Sequence, residues 1–546
     1  MRFNEVKAGI YKKQEISRID NVLCWIAIAL VIICAAAIRW RLAAMPLLRD
    51  EGEYAYIAQQ LLKGVPPYQS AYSMKLPGIY VIYAMFLAVF GQTITAIHLG
   101  LIIFNAAAII VVFLLTRYMF GGLAGVAAGA CYAVFSVVNS MLGLMANAEH
   151  FVLLPALIGI LLIVKRPKNK SISYVFWTGL LFGLAFIIKQ HGIFFAAFGA
   201  LYLLYTKIGN RPIEWKKVIL EQIVFVTAAI VPYALVCLYY WQAGSFGKFW
   251  FWTFTYAREY SSLKLPAGGL EMFVLAGKPI LVTLPLIWLL ALAGFGAVFA
   301  RKSNRRFAGF VAGFLLFSFL ALCPGFYFRP HYFILICPAA AILAGLGFAE
   351  IDKLVARFVT GPSRNILVAF AGLFVLCVCA YQNKYLFASS PADVCRLFYP
   401  HYLFNESVEI AEYIKNNSSP DDTVAIVGSE PQICFYSGRR SATRYIYTYP
   451  ITEPHRYAVS MRKEMMADIE NNKPEFLIFV NVSFGWSASD DSAQYFLLWA
   501  HSYAKRFYKL TGMIDMRKDD TVYRWNEQAE GFNPATNFWI AVFKRK

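Results

Sequence analysis

VLCWIAIALVIICAAAI, Val22 to Ile38, is followed after a short gap by Arg49-Asp50-Glu51-Gly52-Glu53-Tyr54, so an acidic cluster stands just beyond a long apolar run. A bilayer's hydrocarbon core takes about 20 apolar residues as a helix, which makes the run a membrane crossing. Carboxylates at its outer edge cost free energy unless solvated, paired or used, so the cluster marks a candidate functional site facing a water-filled mouth. Lys7, Lys12, Lys13 and Arg18 precede the run and Ala35-Ala36-Ala37 closes it, as in a signal peptide. The long basic lead and long apolar core favour an uncleaved anchor.

The whole chain extends that reading. Of its 546 residues 59% are hydrophobic and 15% charged, with a mean hydropathy of +0.53. Soluble domains average about 45–50% apolar and about 25% charged, so this is a polytopic α-helical membrane protein. Its spans, about 11 in all, fall at 22–42, 95–118, 121–141, 148–164, 172–188, 191–206, 218–241, 276–299, 307–323, 331–349 and 365–382. The net charge of +19 is concentrated in short loops: the N-terminus, Lys165-Arg166-Pro167-Lys168-Asn169-Lys170, residues 207–217, Arg301-Lys302-Ser303-Asn304-Arg305-Arg306 and residues 353–364. With these spans all of them lie on one side, which the positive-inside rule makes the cytoplasm. The excess charge reads as topology, with anionic lipid headgroups a secondary attraction and nucleic acid excluded as a partner. The first loop, residues 43–94, and everything after Tyr381 then face outward.

In that loop Tyr54, Ile57, Ala58, Leu61 and Leu62 recur at helical spacing, and a second apolar segment, Ile79 to Phe90, follows Gly64-Val65-Pro66-Pro67 and Pro77. Both read as helices lying along or dipping into the interface. Counting 76–91 as a crossing would invert every later loop and put the basic ones outside. From about residue 392 the composition changes. Val424 to Gly428 and Phe476 to Val480 are short β-rich runs beside the helical patterns Val408–Ile414 and Tyr457–Ile469, with further strands expected at Lys505–Tyr508 and Thr521–Trp525. The division expected is a membrane domain over 1–382 and an outer α/β domain over 392–546. Most of the ten Cys lie inside apolar runs; Cys395 and Cys434, in the polar part, either pair or stay free.

Several groups carry chemistry. Asp50-Glu51-Gly52-Glu53 suits either a capping box, with Asp50 as N-cap and Glu53 at the third helical position, or an acidic functional cluster. Tyr54 and Tyr56 offer aromatic surface to a sugar ring. Lys75-Leu76-Pro77-Gly78 sets a cation beside a helix start, an anion site suited to phosphate, or else a snorkelling interfacial lysine. Glu149, in Asn147-Ala148-Glu149-His150, opens the fourth predicted span on the same outer side as Asp50. It either caps that helix, binds a divalent metal with Asp50, or positions an acceptor. Lys189-Gln190-His191-Gly192 links two spans there, and Arg329-Pro330-His331-Tyr332 opens another. Lys75, Lys189, Arg329 and His331 thus share a face with two carboxylates, an arrangement suited to a phosphate leaving group opposite a base. The sequence has no Walker pattern and no Asp-x-Asp, which argues against an ATP-driven pump and against a nucleotide-sugar donor held through a metal.

Asp50-Glu51 after the first span, the Tyr-rich helix, Lys75-Leu76-Pro77-Gly78, Glu149, and Arg329-Pro330-His331-Tyr332-Phe333 running into Pro338-Ala339-Ala340 resemble the GT-C membrane glycosyltransferases. The resembling branch contains the protein O-mannosyltransferases and the bacterial aminoarabinose transferase acting on lipid A, and the likeness covers roughly residues 20–350. It implies a bacterial inner-membrane location and a polyprenyl-phosphate-linked sugar as donor, transferred on the outer face to a hydroxyl or phosphate of a lipid, glycan or protein. It implies Asp50 as base or acceptor anchor, Lys75 on the carrier phosphate, and Glu149 as second acid, where some relatives carry Asp. The chain lacks an MIR-type insertion. Gly428-Ser429-Glu430-Pro431-Gln432 with Ser437-Gly438-Arg439-Arg440 is similar to the periplasmic tails of bacterial members.

The expected site is therefore Asp50, Glu51 and Glu149 as catalytic acids, with Tyr54, Lys75, Lys189, His191, Arg329 and His331 binding substrate. Asp50 and Glu149 are the candidate ligands of a possible divalent metal. The expected reaction is displacement at the anomeric carbon with inversion. The alternative, a transporter or flippase of a lipid-linked saccharide, would place ionisable residues near mid-membrane and show two related halves, whereas here they collect at one rim.

Overall fold

The structure, a computed structural model, describes residues 2–165, 172–208, 212–262, 266–399, 403–481, 491–517 and 520–546. The basic stretch 166–170 and residues 209–211 lie outside them. Helix occupies every predicted span, but not every such helix is long enough to cross. Among the described residues six pass by length and composition: Asn21–Arg41, Ile94–Phe120, Ala148–Lys165, Trp215–Gln242, Pro330–Val355 and Ser363–Gln382. The chain is a multi-pass membrane protein.

The continuous crossing expected over 276–299 is instead two helices, Gly268–Thr283 and Pro285–Ala300, bent by 97°. The cause is local. Leu284 takes φ −134°, ψ 52°, outside the helical region, and Pro285, which has no N–H to donate, starts the next helix. Gly122–Phe135, Ile172–Ile188 and Gly192–Ile208 are apolar but shorter. Gly78–Phe90 has 13 residues. At 1.5 Å per residue it reaches only about 20 Å, too little for a bilayer core.

The chain divides into two compact units. The first comprises residues 1–41, 101–236 and 263–388. Its tightest packing joins helices Gly122–Phe135, Pro285–Ala300 and Cys337–Val355 through small residues. A methyl placed on Gly294 would stand 1.9 Å from Leu343 O, and one on Gly345 2.3 Å from Ala124 O. Hydrocarbon supplies no hydrophobic drive between helices, so close backbone approach is how such helices gain dispersion energy.

The second unit comprises residues 42–100, 237–262 and 389–546. Its strands are β1 (Thr423–Val427), β2 (Arg440–Ser441), β3 (Phe476–Asn481), β4 (Tyr508–Met516), β5 (Thr521–Trp525) and β6 (Trp539–Arg545), in one sheet ordered β2-β1-β3-β6-β4-β5. β1 runs parallel to β2 and β3, with Ala425 opposite Leu477; the other pairings are antiparallel. The parallel strands read as continuous apolar runs because both faces are covered. Lys505 to Phe507, expected as strand, end helix Asp491–Phe507 instead, and β4 starts at Tyr508. Cys395 and Cys434 are buried and free.

Helix Arg49–Leu62, from the first loop, belongs to this unit and is enclosed on nearly every face. Tyr54 packs on Tyr80 and Tyr83 of Gly78–Phe90, with centroids 6.1 and 5.3 Å apart. On the other side Gly52 leaves no room for a methyl, which would sit 2.7 Å from Gln432 Cβ and 2.8 Å from its backbone N. Arg49 Nη2 pairs with Glu430 Oε1 at 2.7 Å, both side chains buried, and Tyr56 OH accepts Ser441 N–H at 2.8 Å. The Gly428 to Gln432 stretch thus holds the acidic helix.

Candidate active site

The acidic helix does not start where a capping box on Asp50 and Glu53 would start it. Leu48 is the cap residue, and Glu51 reaches back to accept Leu48 N–H at 2.8 Å. Glu51 is fully buried, its other oxygen 3.3 Å from His98 Nε2, whose Nδ1 meets Ala43 O at 2.8 Å. With Glu51 in the capping position, Asp50 and Glu53, three apart, are left together on one helix face.

Lys75 Nζ lies 3.0 Å from Asp50 Oδ1 and 2.5 Å from Glu53 Oε2. Tyr447 OH donates to the same Asp50 oxygen at 2.8 Å. Tyr80 OH stands 2.7 Å from Ser73 Oγ and 3.3 Å from Glu53 Oε1. The ammonium sits 5.0 Å over the Tyr54 ring and 5.3 Å from that of Tyr447, and Tyr68 OH donates to Lys75 O at 2.6 Å. Tyr54 is therefore packed beneath a cation, buried, rather than open to a sugar.

The electrostatics follow from burial against charge. Burial alone would pull the Lys75 ammonium down, but Asp50 and Glu53 outweigh it and hold its pKa above the ordinary lysine range. Glu53 is pushed up by burial, Lys75 opposing and Asp50 adding to the shift. Burial, then the Asp50 charge, push Tyr447 far above the phenol range, so it stays a donor.

Glu149, Lys189, His191, Arg329 and His331 belong to the first unit. Glu149 opens helix Ala148–Lys165, Lys189 and His191 lie between Ile172–Ile188 and Gly192–Ile208, and His331 lies in the 3-10 turn Pro330–Ile336. Lys189 Nζ donates to Glu149 Oε1, and His331 Nε2 stands 3.8 Å from that oxygen. Tyr332 is their common wall: Lys189 Nζ is 4.6 Å over its ring, and the His191 and His331 rings meet it at 4.8 and 4.9 Å. Arg329 lies 5.4 Å over the Tyr327 ring. Glu149 Oε2, buried, accepts no hydrogen bond from any described residue.

Glu53, Tyr447, Ser73, Tyr80 and His98 escaped the expected site. Spacing could have found Glu53, on the Asp50 face. Nothing local marks Tyr447, nearly 400 residues away in sequence. Asp50 and Glu149, the expected metal ligands, belong to different units. Each acid already meets an ammonium, and among the described residues no group of three or more His, Cys, Asp or Glu could hold an ion.

The family model for dolichyl-phosphate-mannose-protein mannosyltransferases matches residues 74–236, which include Lys75, Glu149, Lys189 and His191 but not Asp50. ArnT from Cupriavidus metallidurans bound to undecaprenyl phosphate is similar in structure, with TM-score 0.55 and 14% identity over 83% of this chain and 93% of that one. The archaeal oligosaccharyltransferase AglB from Archaeoglobus fulgidus, solved with an inhibitory peptide and a dolichol-phosphate, gives TM-score 0.52 and 13% identity over 93% of this chain and 75% of that one. No curated protein matches the chain in sequence. Its architecture is the GT-C membrane glycosyltransferase fold.

Proposed function

We propose that this chain transfers a sugar from a polyprenyl-phosphate carrier to a hydroxyl or phosphate acceptor on the outer face of the membrane, with inversion at the anomeric carbon. Residues 1–382 carry the membrane part, and the first loop and residues 392–546 lie outside a bacterial inner membrane, as the basic loops argue. The observation that carries the reading is the acid group of the second unit: Asp50 at the start of an enclosed helix, its oxygen bonded by Lys75 and Tyr447. The solved proteins of the same fold that hold undecaprenyl phosphate and dolichol-phosphate support the donor class.

In the reaction the acceptor oxygen bonds to the anomeric carbon as the bond from that carbon to the carrier phosphate oxygen breaks. The proton of a hydroxyl acceptor goes to Asp50, an ionised phosphate acceptor having none to lose, and the carrier phosphate leaves as an anion. General base catalysis of this kind is worth typically about 10²–10⁴ in rate. Lys75 and Tyr447 stabilise the negative charge on Asp50, Glu51 sets where the helix begins, and Tyr54 holds Lys75. Lys75 is the cation proposed for the carrier phosphate, and Lys189, His191, Arg329 and His331 of the first unit are proposed substrate contacts. Fixed positive charge at the phosphate lowers the barrier where negative charge develops. Glu149 orients Lys189.

The test is transfer in membranes from a polyprenyl-phosphate sugar to a labelled acceptor. Asp50→Asn should lower kcat by about 10²–10⁴, and unchanged transfer removes Asp50 as the base. The same assay with EDTA, and with Mg²⁺ or Mn²⁺ restored, reads the metal dependence of transfer.

A further inference from the structure

The loop that carries Lys75 and the segment that carries Tyr447 each send another tyrosine to a second place in the same unit. Tyr72 and Tyr445 there wall a cavity of about 240 Å³ together with Trp252 and Tyr457. Trp252 comes from Phe251–Tyr256, a π-helical stretch between helices Phe246–Trp250 and Ala257–Ser262. Such widened turns are rare and recur at functional sites. Tyr72 and Trp252 stack with centroids 4.5 Å apart, and Tyr445 meets Tyr72 edge-on at 5.1 Å.

Glu464 closes the polar end. Its Oε1 accepts Tyr72 OH at 2.9 Å and pairs with Arg444 Nη2 at 2.8 Å, while Oε2 accepts Tyr445 OH at 2.5 Å. The carboxylate is thus fixed by three donors, yet its side chain stays 38% exposed. Lys248 and Ser460, both exposed, add donors at the rim. The acid cluster and the candidate phosphate cations use none of these residues.

We propose that this cavity is a subsite for one sugar ring of a carbohydrate acceptor. The proposal rests on the transferase reading and names its acceptor class. Tyr72, Trp252 and Tyr445 are buried against one another, so the aromatic surface open to the C–H face of a pyranose is that of Tyr457 and Phe251, both part-exposed, while an immobilised carboxylate and two donors meet hydroxyls on its edge. A lipid tail would strand Glu464 and Lys248 against hydrocarbon, and a phosphate would face the Glu464 carboxylate. The volume lies below the roughly 300–1,000 Å³ of ordinary small-molecule sites, which suits a single ring.

Covalent geometry couples the subsite to the acid cluster. Residues 72 and 75 are separated by at most about 11 Å, and residues 445 and 447 by at most about 7 Å. Tyr72 N–H donates to Arg444 O at 2.8 Å, tying the two segments together.

The experiment uses the full chain in lipid nanodiscs without donor. Saturation-transfer NMR is recorded with methyl hexosides, methyl N-acetylhexosaminides and a serine-containing peptide. At least one glycoside should receive saturation and the peptide none, and Tyr457→Ala and Lys248→Ala should each weaken the glycoside signal by about tenfold. With donor present, both variants should raise the acceptor KM by a similar factor and leave kcat within about twofold. Silence from every glycoside, or signals equal in wild type and Tyr457→Ala, overturns the subsite. Glycoside binding that depends on Tyr457 in a chain that transfers nothing supports the subsite and retires the transferase reading.

Discussion

Lys75 is the residue on which the acid cluster turns. Two carboxylates three residues apart on a helix repel, and one ammonium within 3.0 Å of both lets them share a face. Because the acids raise its pKa, Lys75 keeps its proton beyond the ordinary value of 10.5. A cation whose pKa rises on folding contributes stability that is complete below the unfolded value and is lost as pH climbs through the folded one. The stability gap between wild type and Lys75→Met should therefore stay level from neutral to about pH 10 and close only above it. Thermal unfolding in detergent across that range measures the gap; closure already near neutral would remove the pairing. Asp50, Lys75 and Glu149 were legible because charge in apolar surroundings demands a partner. Which partner each takes was not, since Tyr447 shares no local pattern with Asp50.

At the scale of elements, the contact between helix Arg49–Leu62 and the Glu430–Gln432 segment decides where Asp50 stands. Gly52 permits the approach and the Arg49–Glu430 pair secures it. Gly52→Val should cost about 1–3 kcal/mol by overpacking, and Glu430→Ala about 3–5 kcal/mol by removing the acid that meets a buried guanidinium. Denaturation midpoints should show both, with kcat falling as Asp50 shifts. A stable, fully active Gly52→Val would show that the contact is dispensable. Hydrophobic periodicity located this helix and its neighbour Gly78–Phe90, since those patterns are local. It could not show that buried Gln59 and Gln60 face protein, because polar residues read as a solvated face until their partners are known.

For the whole molecule, the grouping of residues 42–100 with 389–546 makes the C-terminal part structural support for the first loop. Ending the chain at residue 388 should abolish transfer and speed proteolysis within residues 43–94, as Arg49, Gly52 and Asp50 lose Glu430, Gln432 and Tyr447. Limited digestion with a transfer assay checks this, and a truncated chain that keeps its activity would refute it. Composition and apolar run length were enough to establish a multi-pass helical protein, because burying backbone polar groups in hydrocarbon leaves few architectures. β-rich runs likewise foretold strands after residue 392. The 97° bend at Leu284, the strand pairing, and the meeting of Asp50, Lys75 and Tyr447 came only with the tertiary structure. Span and strand propensity are summed over neighbours along the chain, whereas a site is a set of distances between residues whose separation in sequence carries no energy of its own.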